Sequence, residues 1–275
     1  MDQSEVAFAK VNLALHVRRR RDDGYHDIET LFAFARDGDI LYAGLSETLT
    51  LAIEGPFGSG LEADDNNLVM QTAVRLKSHF GVRQGAALRL DKRLPIASGI
   101  GGGSADAAAT ARLLSRLWGL NATEQELADI LALLGADIPA CVFSRPSFGT
   151  GTGTALEFLD DTPIAARHLL LVNPLQSVST AAIFNAWDGV DSGSLQAGNM
   201  WEAALNGRND LEPLATEICP VITDILHQLS QTKSALTRMS GSGATCFALF
   251  ATATELKAAA AMLDPAWWVM ETKLR

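Results

Sequence analysis

Several sequence features that usually identify nucleotide-binding, secreted or membrane proteins are missing from this chain. Its 275 residues contain no Gly-Lys pair, which excludes a Walker A loop. Gly99-x-Gly101 is followed by Ser104 where a third glycine would complete the dinucleotide fingerprint, so that motif is absent too. The three cysteines form no Cys-x-x-Cys pair. No run of about 18 apolar residues is present either, which excludes a spanning helix.

Positive charge is also scarce, because 32 acidic residues face 22 basic ones and the net charge is −10. Such a surface argues against nucleic acid or an anionic membrane as a partner. The odd number of cysteines, and an acidic start at Met1–Glu5 with no apolar segment, predict a reduced, cytoplasmic location. With 48% hydrophobic residues the chain can form one large domain or two modest ones.

The segment Leu94–Asp106 carries four glycines, Gly99, Gly101, Gly102 and Gly103. It follows a strand-like run, Ala86–Asp91, and enters a strong helical pattern. A glycine-rich loop that opens a helix is suited to binding an anion, because backbone N–H groups and the helix dipole both point at it. The alternative is an ordinary helix start, with Ser104 as N-cap and Asp106 in the first turn.

Two charged residues stand out elsewhere. Val6–Val17 alternates like a strand and places Lys10 and Asn12 on one side, although Lys10 could also be an edge or snorkelling lysine. Asp137 lies in a turn between Gly135, which ends a helix that Thr123 caps, and Pro139. A helix N-cap is the alternative role for this aspartate.

The order of predicted elements favours an α+β fold with helices on one face of a sheet. A change in composition suggests two domains, residues 1–160 and 161–275. Predicted strands include 28–35 and 39–43, and predicted helices in the second half cover 180–187, 198–206 and 218–229.

Three segments together resemble the motifs of the GHMP small-molecule kinases: the strand with Lys10, the loop Pro95–Ala105, and Ser240–Thr245. Phe8–Asn12, Asp23–His26, Leu134–Pro139 and Met239–Ala244 resemble the members that act on 4-diphosphocytidyl-2-C-methyl-D-erythritol. The likeness runs through nearly the whole chain. It implies a domain like the second domain of ribosomal protein S5, followed by a ferredoxin-like domain.

The same resemblance implies transfer of the γ-phosphoryl group of ATP to the 2-hydroxyl of the methylerythritol moiety, a step of the non-mevalonate isoprenoid route. ATP would be the co-substrate, with Mg²⁺ bound beside it and no metal ligand assigned to the protein. The expected partners are ATP and the small cytidyl substrate, and the expected assembly is a monomer or weak homodimer.

The resemblance also assigns site residues. The catalytic pair is Lys10 and Asp137, with the aspartate taking the proton of the attacking hydroxyl. The nucleotide would contact Asn67, Leu68, Pro95, Ile96, Ala97, Ser98, Gly99, Ile100, Gly101, Gly102, Gly103, Ser104 and Ala105. The cytidyl substrate would contact Asn12, Tyr25, His26, Thr180 and Phe184.

The chain departs from the family pattern at a few positions, and two rival functions remain. Ala97 and Ser98 stand where glycines are usual, Ala105 replaces a serine, and Asn66 replaces an aspartate. One rival is a sister kinase acting on mevalonate or homoserine, which the Asp-Gly-Tyr-His turn argues against. The other is a nucleotide-binding module without catalysis, which the presence of both Lys10 and Asp137 argues against.

Overall fold

The computed structural model describes residues 3–160, 164–195 and 199–275, which form an α+β chain. Within these residues the strands are β1 (Gln3–Arg20), β2 (His26–Ser46), β3 (Thr50–Glu54), β4 (Gly85–Asp91), β5 (Ser147–Thr150), β6 (Ala155–Phe158), β7 (His168–Asn173), β8 (Leu236–Met239), β9 (Cys246–Phe250) and β10 (Trp268–Lys273). The helices are α1 (Leu68–His79), α2 (Gly102–Leu117), α3 (Glu124–Leu131), α4 (Ile138–Phe143), α5 (Thr180–Ala186), α6 (Met200–Asn206), α7 (Glu212–Ile218), α8 (Val221–Ser230) and α9 (Ala253–Ala260). None of these described helices has both the length and the apolar character needed to cross a membrane.

Some predicted elements have different bounds in the structure. The strands predicted at 28–35 and 39–43 are parts of one long strand, β2. The helix predicted at 218–229 is wrong at its start, because α7 ends at Ile218 and α8 begins at Val221. Pro220 lies between them, and a proline lacks the N–H that would continue a helix. Position 198, the predicted start of another helix, lies outside the described residues.

The chain forms two compact units whose segments alternate along the sequence. Unit 1 contains the described residues of Met1–Ala9, together with Asp37–Ile96 and Gly101–Ser144. Unit 2 contains Lys10–Arg36, Ala97–Ile100 and the described residues of Arg145–Arg275. β1, β2 and the glycine-rich segment therefore each contribute residues to both units. The domain boundary predicted between 160 and 161 stays a prediction, since residues 161–163 lie outside the described residues.

In unit 1, β4 lies between β2, with which it pairs antiparallel, and β3, with which it pairs parallel. Helix α2 packs against α1 and α4, and α4 also packs against α3. The predicted cap of α3 is confirmed, because the Thr123 side chain accepts a hydrogen bond from the backbone N–H of Glu126. Ala107, Ala111 and Leu114 give α2 the apolar face that its sequence pattern predicts.

In unit 2, an antiparallel sheet has the strand order β10-β7-β9-β8. β7 is central, and its residues Leu169–Val172 are fully buried. Helices α7, α8 and α9 contribute Ala215, Ile222 and Leu256 to a core shared with this sheet. The N-terminal part of β2 pairs with β5, which pairs in turn with β6.

A substitution at Gly38 on β2 would test how tightly unit 1 is packed at this strand. A Cβ atom at this position would lie 1.8 Å from the carbonyl oxygen of Ala7. Gly38→Ala should therefore displace β1 and lower the free energy of unfolding by about 1–3 kcal/mol. Chemical denaturation followed by circular dichroism measures this, with the exposed neighbour Arg36→Ala as control. Equal denaturation midpoints for the two variants would show that β1 can move to accommodate the methyl group without loss of stability.

Candidate active site

The ammonium group of Lys10 lies inside unit 2 on β1. The residue is 3% exposed, and its Nζ donates a hydrogen bond to Oδ1 of Asn12 at 2.8 Å. The Asn12 amide in turn donates to Oγ1 of Thr30 at 2.8 Å, which fixes its orientation. Nζ also lies 5.2 Å from the ring centroid of Phe32, within the range of a cation–π contact. The predicted placement of Lys10 and Asn12 on one side of the strand is confirmed, and the burial of Lys10 argues against a lysine that snorkels to solvent.

The first half of the glycine-rich segment, Ala97–Ile100, also belongs to unit 2 and is tied to two other motifs. Its carbonyl groups accept three hydrogen bonds: Ser98 O from Thr245 N (3.1 Å), Gly99 O from Ser240 Oγ (3.0 Å) and Ile100 O from Lys10 N (3.0 Å). Ser240 Oγ itself accepts from the backbone N–H of Asn12 at 3.1 Å. The three segments that resemble family motifs are thus joined within one unit.

Gly99 has no room for a side chain in this arrangement. A Cβ atom there would lie 2.5 Å from the carbonyl oxygen of Ser240 and 2.6 Å from that of Gly243. Its φ of +76° is also one that favours glycine. The close approach of these two backbone segments therefore requires glycine at position 99, whereas Ala97, at φ +50°, accepts a left-handed conformation with its methyl group.

The second half of the segment opens α2 in unit 1. Gly101 is the N-cap at φ +64° and has no side chain with which to cap the helix. Ser104 lies inside the first turn, so the alternative in which Ser104 is the N-cap is wrong. Because the first N–H groups of a helix have no partner within the helix, this end can receive an anion.

The predicted adenine-side residues lie at the start of α1, also in unit 1. Asn67 is the N-cap of α1, and its Oδ1 accepts from the backbone N–H of Val69 at 3.0 Å. A Cβ on Gly103 would lie 3.4 Å from Cδ1 of Leu68, so Leu68 adjoins the start of α2. The structure thus brings Leu68 to the glycine-rich segment and uses the Asn67 side chain to begin a helix.

A buried charge cluster, which the sequence reasoning missed, underlies the start of α2. Nζ of Lys92 lies 2.6 Å from Oδ2 of Asp39 and 2.6 Å from Oδ2 of Asp106, and all three side chains are at most 4% exposed. Oδ1 of Asp39 accepts hydrogen bonds from the backbone N–H groups of Arg93 and Leu94. The cluster therefore joins β2, the segment after β4 and the first turns of α2.

The protonation of this cluster follows from its burial. Burial raises the pKa of Asp106 to about 8, the negative charge of Asp39 adds to the rise, and Lys92 opposes it. Burial alone would lower the pKa of Lys92, but the two carboxyl groups outweigh it and raise that pKa. Oδ1 of Asp106 has no hydrogen-bond partner among the described residues. The raised pKa of Asp106 thus favours a protonated carboxyl group beside the Lys92 ammonium.

Asp137 immediately precedes α4 in unit 1. It occupies the N-cap position, yet its side chain makes no capping hydrogen bond within the described residues, which argues against the alternative of a structural cap. A Cβ on Gly135 would lie 3.9 Å from Oγ of Ser104, so the turn that carries Asp137 adjoins the start of α2. Lys10 belongs to the other unit, and its predicted approach to Asp137 stays a prediction.

Arg112 of α2 holds α4 in place. Its Nη1 donates to the carbonyl oxygens of Cys141 at 2.8 Å and Val142 at 3.1 Å, near the C-terminal end of α4. Its Nε pairs with Glu5 at 2.7 Å. A cation that binds the last carbonyl groups of a helix stabilises that helix end. Arg112 thereby fixes the helix that begins after Asp137 against the helix that begins at the glycine-rich segment.

Two of the residues predicted for the cytosine pocket, His26 and Phe184, form an aromatic cluster with Trp187 in unit 2. The His26 ring centroid lies 5.1 Å from that of Phe184 and 5.7 Å from that of Trp187. His26 is 5% exposed, whereas Tyr25 is 62% exposed. Burial lowers the pKa of His26, and the charge of Arg20 lowers it further. The structure brings His26 and Phe184 together and leaves the Tyr25 ring open to solvent.

Thr180 and Trp187 complete this part of unit 2. The hydroxyl of Thr180, the first residue of α5, shares a hydrogen bond of 2.8 Å with that of Ser242. α5 therefore begins beside the glycine turn that follows β8. Trp187 and Arg20 were not predicted, because neither belongs to a recognisable motif and only the fold brings them to His26.

A separate groove of about 930 Å³ in unit 1 is lined by Asp65, Met70, Gln71, Val74, Arg75, Ser78, His79, Asp129, Ile130 and Leu134. None of the predicted site residues lines it. The candidate chemistry therefore rests on the glycine-rich segment and the motifs around it, and not on the groove.

Two family models match the chain. The GHMP kinases N terminal domain matches residues 67–145, and GHMP kinases C terminal matches residues 197–269. The first range contains the glycine-rich segment and Asp137, and the second contains the Ser240–Gly243 turn.

Relatives of known name are similar over almost the whole length. A 4-diphosphocytidyl-2-C-methyl-D-erythritol kinase of Sphingopyxis alaskensis is 50% identical, over 98% of each chain. One from Rhizorhabdus wittichii is 49% identical, over 100% of this chain and 96% of its own. A crystal structure of 4-(cytidine 5'-diphospho)-2C-methyl-D-erythritol kinase matches with a TM-score of 0.84 at 28% identity, covering 100% of this chain and 99% of the other. A homoserine kinase from Cytophaga hutchinsonii shares the fold, with a TM-score of 0.73 at 16% identity.

The proton on Asp106 can be tested by the pH dependence of stability. A carboxyl group with a raised pKa in the folded state keeps a proton that the unfolded chain has lost, so its contribution to stability falls as pH rises toward about 8. Asp106→Asn is a neutral isostere that does not titrate. The unfolding free energy of the wild type, relative to this variant, should fall by roughly 1 kcal/mol per pH unit between about pH 5 and 7. A difference that stays constant with pH would show that Asp106 carries no such proton.

Proposed function

We propose that this chain, which belongs to the GHMP kinase family and within it to the 4-diphosphocytidyl-2-C-methyl-D-erythritol kinases, transfers the γ-phosphoryl group of ATP to the 2-hydroxyl of that cytidyl substrate. The step belongs to the non-mevalonate route to isoprenoid precursors. One observation carries the proposal: the chain is 50% identical, over 98% of both lengths, to a kinase of that name.

ATP binding is assigned to the glycine-rich segment. The uncapped start of α2 offers backbone N–H groups and the positive end of a helix dipole to the phosphates. The residues assigned to the nucleotide are Pro95, Ile96, Ala97, Ser98, Gly99, Ile100, Gly101, Gly102, Gly103, Ser104 and Ala105, with Asn67 and Leu68 on the adenine side. This site supplies local attraction for an anion that the net charge of the chain would otherwise repel.

Asp137 and Lys10 are assigned the chemistry. Phosphoryl transfer needs alignment and charge stabilisation more than covalent help from the protein. The Asp137 carboxylate accepts the proton of the attacking hydroxyl, and the Lys10 ammonium offsets negative charge on the transferred group. The bond to Asn12 holds that ammonium in one position, so Asn12 acts near the reacting end through Lys10.

Mg²⁺ is proposed as the ion that accompanies ATP. Among the described residues no group of three or more His, Cys, Asp or Glu side chains is arranged to hold a metal. The phosphates would therefore supply most of its ligands, as is usual for this ion. When bound, it neutralises charge on the triphosphate.

The cytidyl group is assigned to the cluster in unit 2 around His26. Tyr25 offers an exposed ring for stacking, His26 a polar ring edge, and Phe184 an aromatic wall beside it. Thr180 is placed near the other end of the substrate. We further assign the enzyme to the cytoplasm as a monomer or weak homodimer without a nucleic-acid or membrane partner, supported by its acidic charge and by three buried cysteines that form no disulfide bond.

The decisive experiment measures ADP release with the cytidyl substrate, mevalonate and homoserine in parallel. Of the three compounds, only the cytidyl substrate should stimulate ADP release. Free cytidine diphosphate should compete with this substrate. Turnover with mevalonate or homoserine would instead support a sister kinase. ADP release that no substrate stimulates, in protein that still binds ATP, would support a module without catalysis.

Asp137→Asn should lower kcat by roughly 10²–10⁴-fold, because the amide cannot accept the proton, while nucleotide affinity stays unchanged. Steady-state kinetics and calorimetric titration with ADP separate the two effects. Asp224→Asn, on the exposed surface of α8, is the matched control and should keep normal turnover. Near-normal turnover in Asp137→Asn would return this aspartate to a structural role.

A further inference from the structure

Arg20, the last residue of β1, is held by helix α5 independently of His26. Its Nη2 donates hydrogen bonds to the carbonyl oxygens of Asn185 at 3.2 Å and Trp187 at 3.1 Å. These carbonyl groups lie at the C-terminal end of α5, where a cation is favourable. The position of the guanidinium is therefore determined by the helix end and not by the histidine.

This guanidinium faces one particular nitrogen of His26. Nε of Arg20 donates to Nε2 of the imidazole at 3.4 Å. A guanidinium has no acceptor and stays protonated, so the nitrogen that faces it must present a lone pair. Within residues 3–160, 164–195 and 199–275 this contact is the only hydrogen bond of the His26 ring. For a neutral ring, this contact therefore favours the tautomer with its proton on Nδ1.

The surroundings keep the ring neutral and in place. Burial, and then the charge of Arg20, lower the pKa of His26, so the ring is uncharged at neutral pH. Phe184 packs against it with the rings tilted by 37°, and Trp187 meets it edge-on at 81°. Both aromatic residues belong to α5 and its C-cap, the segment whose carbonyl groups Arg20 binds. The cluster therefore presents one fixed donor, the N–H at Nδ1.

A fixed donor distinguishes the two common pyrimidines. N3 of cytosine is an acceptor, whereas uracil carries a proton on N3 and can only donate there. We propose that Arg20 is a positioning residue that determines specificity: it fixes the His26 tautomer so that Nδ1–H bonds N3 of cytosine and opposes N3–H of uracil. This inference rests on the proposed function, because it takes the cytidyl group as the ligand of His26.

Tautomer and specificity can be measured separately. Long-range ¹H–¹⁵N spectra of the imidazole rings, with the His26 signals assigned through His26→Asn, should show the Nδ1–H tautomer in the wild type. Arg20→Met removes the donor and should yield a mixture of tautomers. Arg20→Lys keeps a cation that can only donate hydrogen bonds, so it should restore the single Nδ1–H tautomer. Arg19→Met is the control, since Arg19 is 72% exposed on its side chain and pairs with Asp27 instead.

The second measurement compares inhibition by cytidine and uridine diphosphates in the ADP-release assay. The ratio of the two inhibition constants should fall roughly 10-fold in Arg20→Met and stay unchanged in Arg19→Met, because the discrimination depends on one hydrogen bond. Melting temperatures of all variants confirm that each one is folded.

Two results would overturn this inference and leave the proposed function intact. One is an Nε2–H tautomer in the wild type. The other is an unchanged ratio of the two inhibition constants in a folded Arg20→Met protein that still binds cytidine diphosphate. A wild-type protein that binds neither nucleotide would contradict the proposed function and, with it, the ligand assigned to His26.

Discussion

Three consecutive carbonyl groups of the glycine-rich segment are bound by three different parts of unit 2, and most of the candidate site depends on this arrangement. Ser98 accepts from Thr245, which directly precedes β9, Gly99 accepts from Ser240, which directly follows β8, and Ile100 accepts from β1. Backbone segments can approach this closely only where no side chain intervenes, which is why position 99 is glycine. The conformation of this half of the loop is thus determined by its neighbours in unit 2.

Two buried lysines show how the protein accommodates charge in different ways. Lys92 pairs with the carboxyl groups of Asp39 and Asp106, and this cluster joins three segments of unit 1. The contacts of Lys10 include the neutral amide of Asn12 and the ring of Phe32. These contacts fix the position of its ammonium group within unit 2, beside the backbone of the glycine-rich segment.

Much of this arrangement could be predicted from local patterns. The alternation of β1 predicted that Lys10 and Asn12 share a side, and the glycines before an apolar helical pattern predicted where α2 begins. The alternative in which Ser104 caps α2 was wrong. A serine near a helix start acts as an N-cap only when it directly precedes the first turn. The Lys92 cluster could not be predicted, since its three members lie on separate segments and only tertiary packing joins them.

The glycine N-cap of α2 has a consequence for the proposed nucleotide site. Gly101 has no side chain that could bond the first N–H groups of the helix. Under the proposed function, a phosphate at this helix end would therefore meet these N–H groups without first displacing a side chain of the N-cap residue.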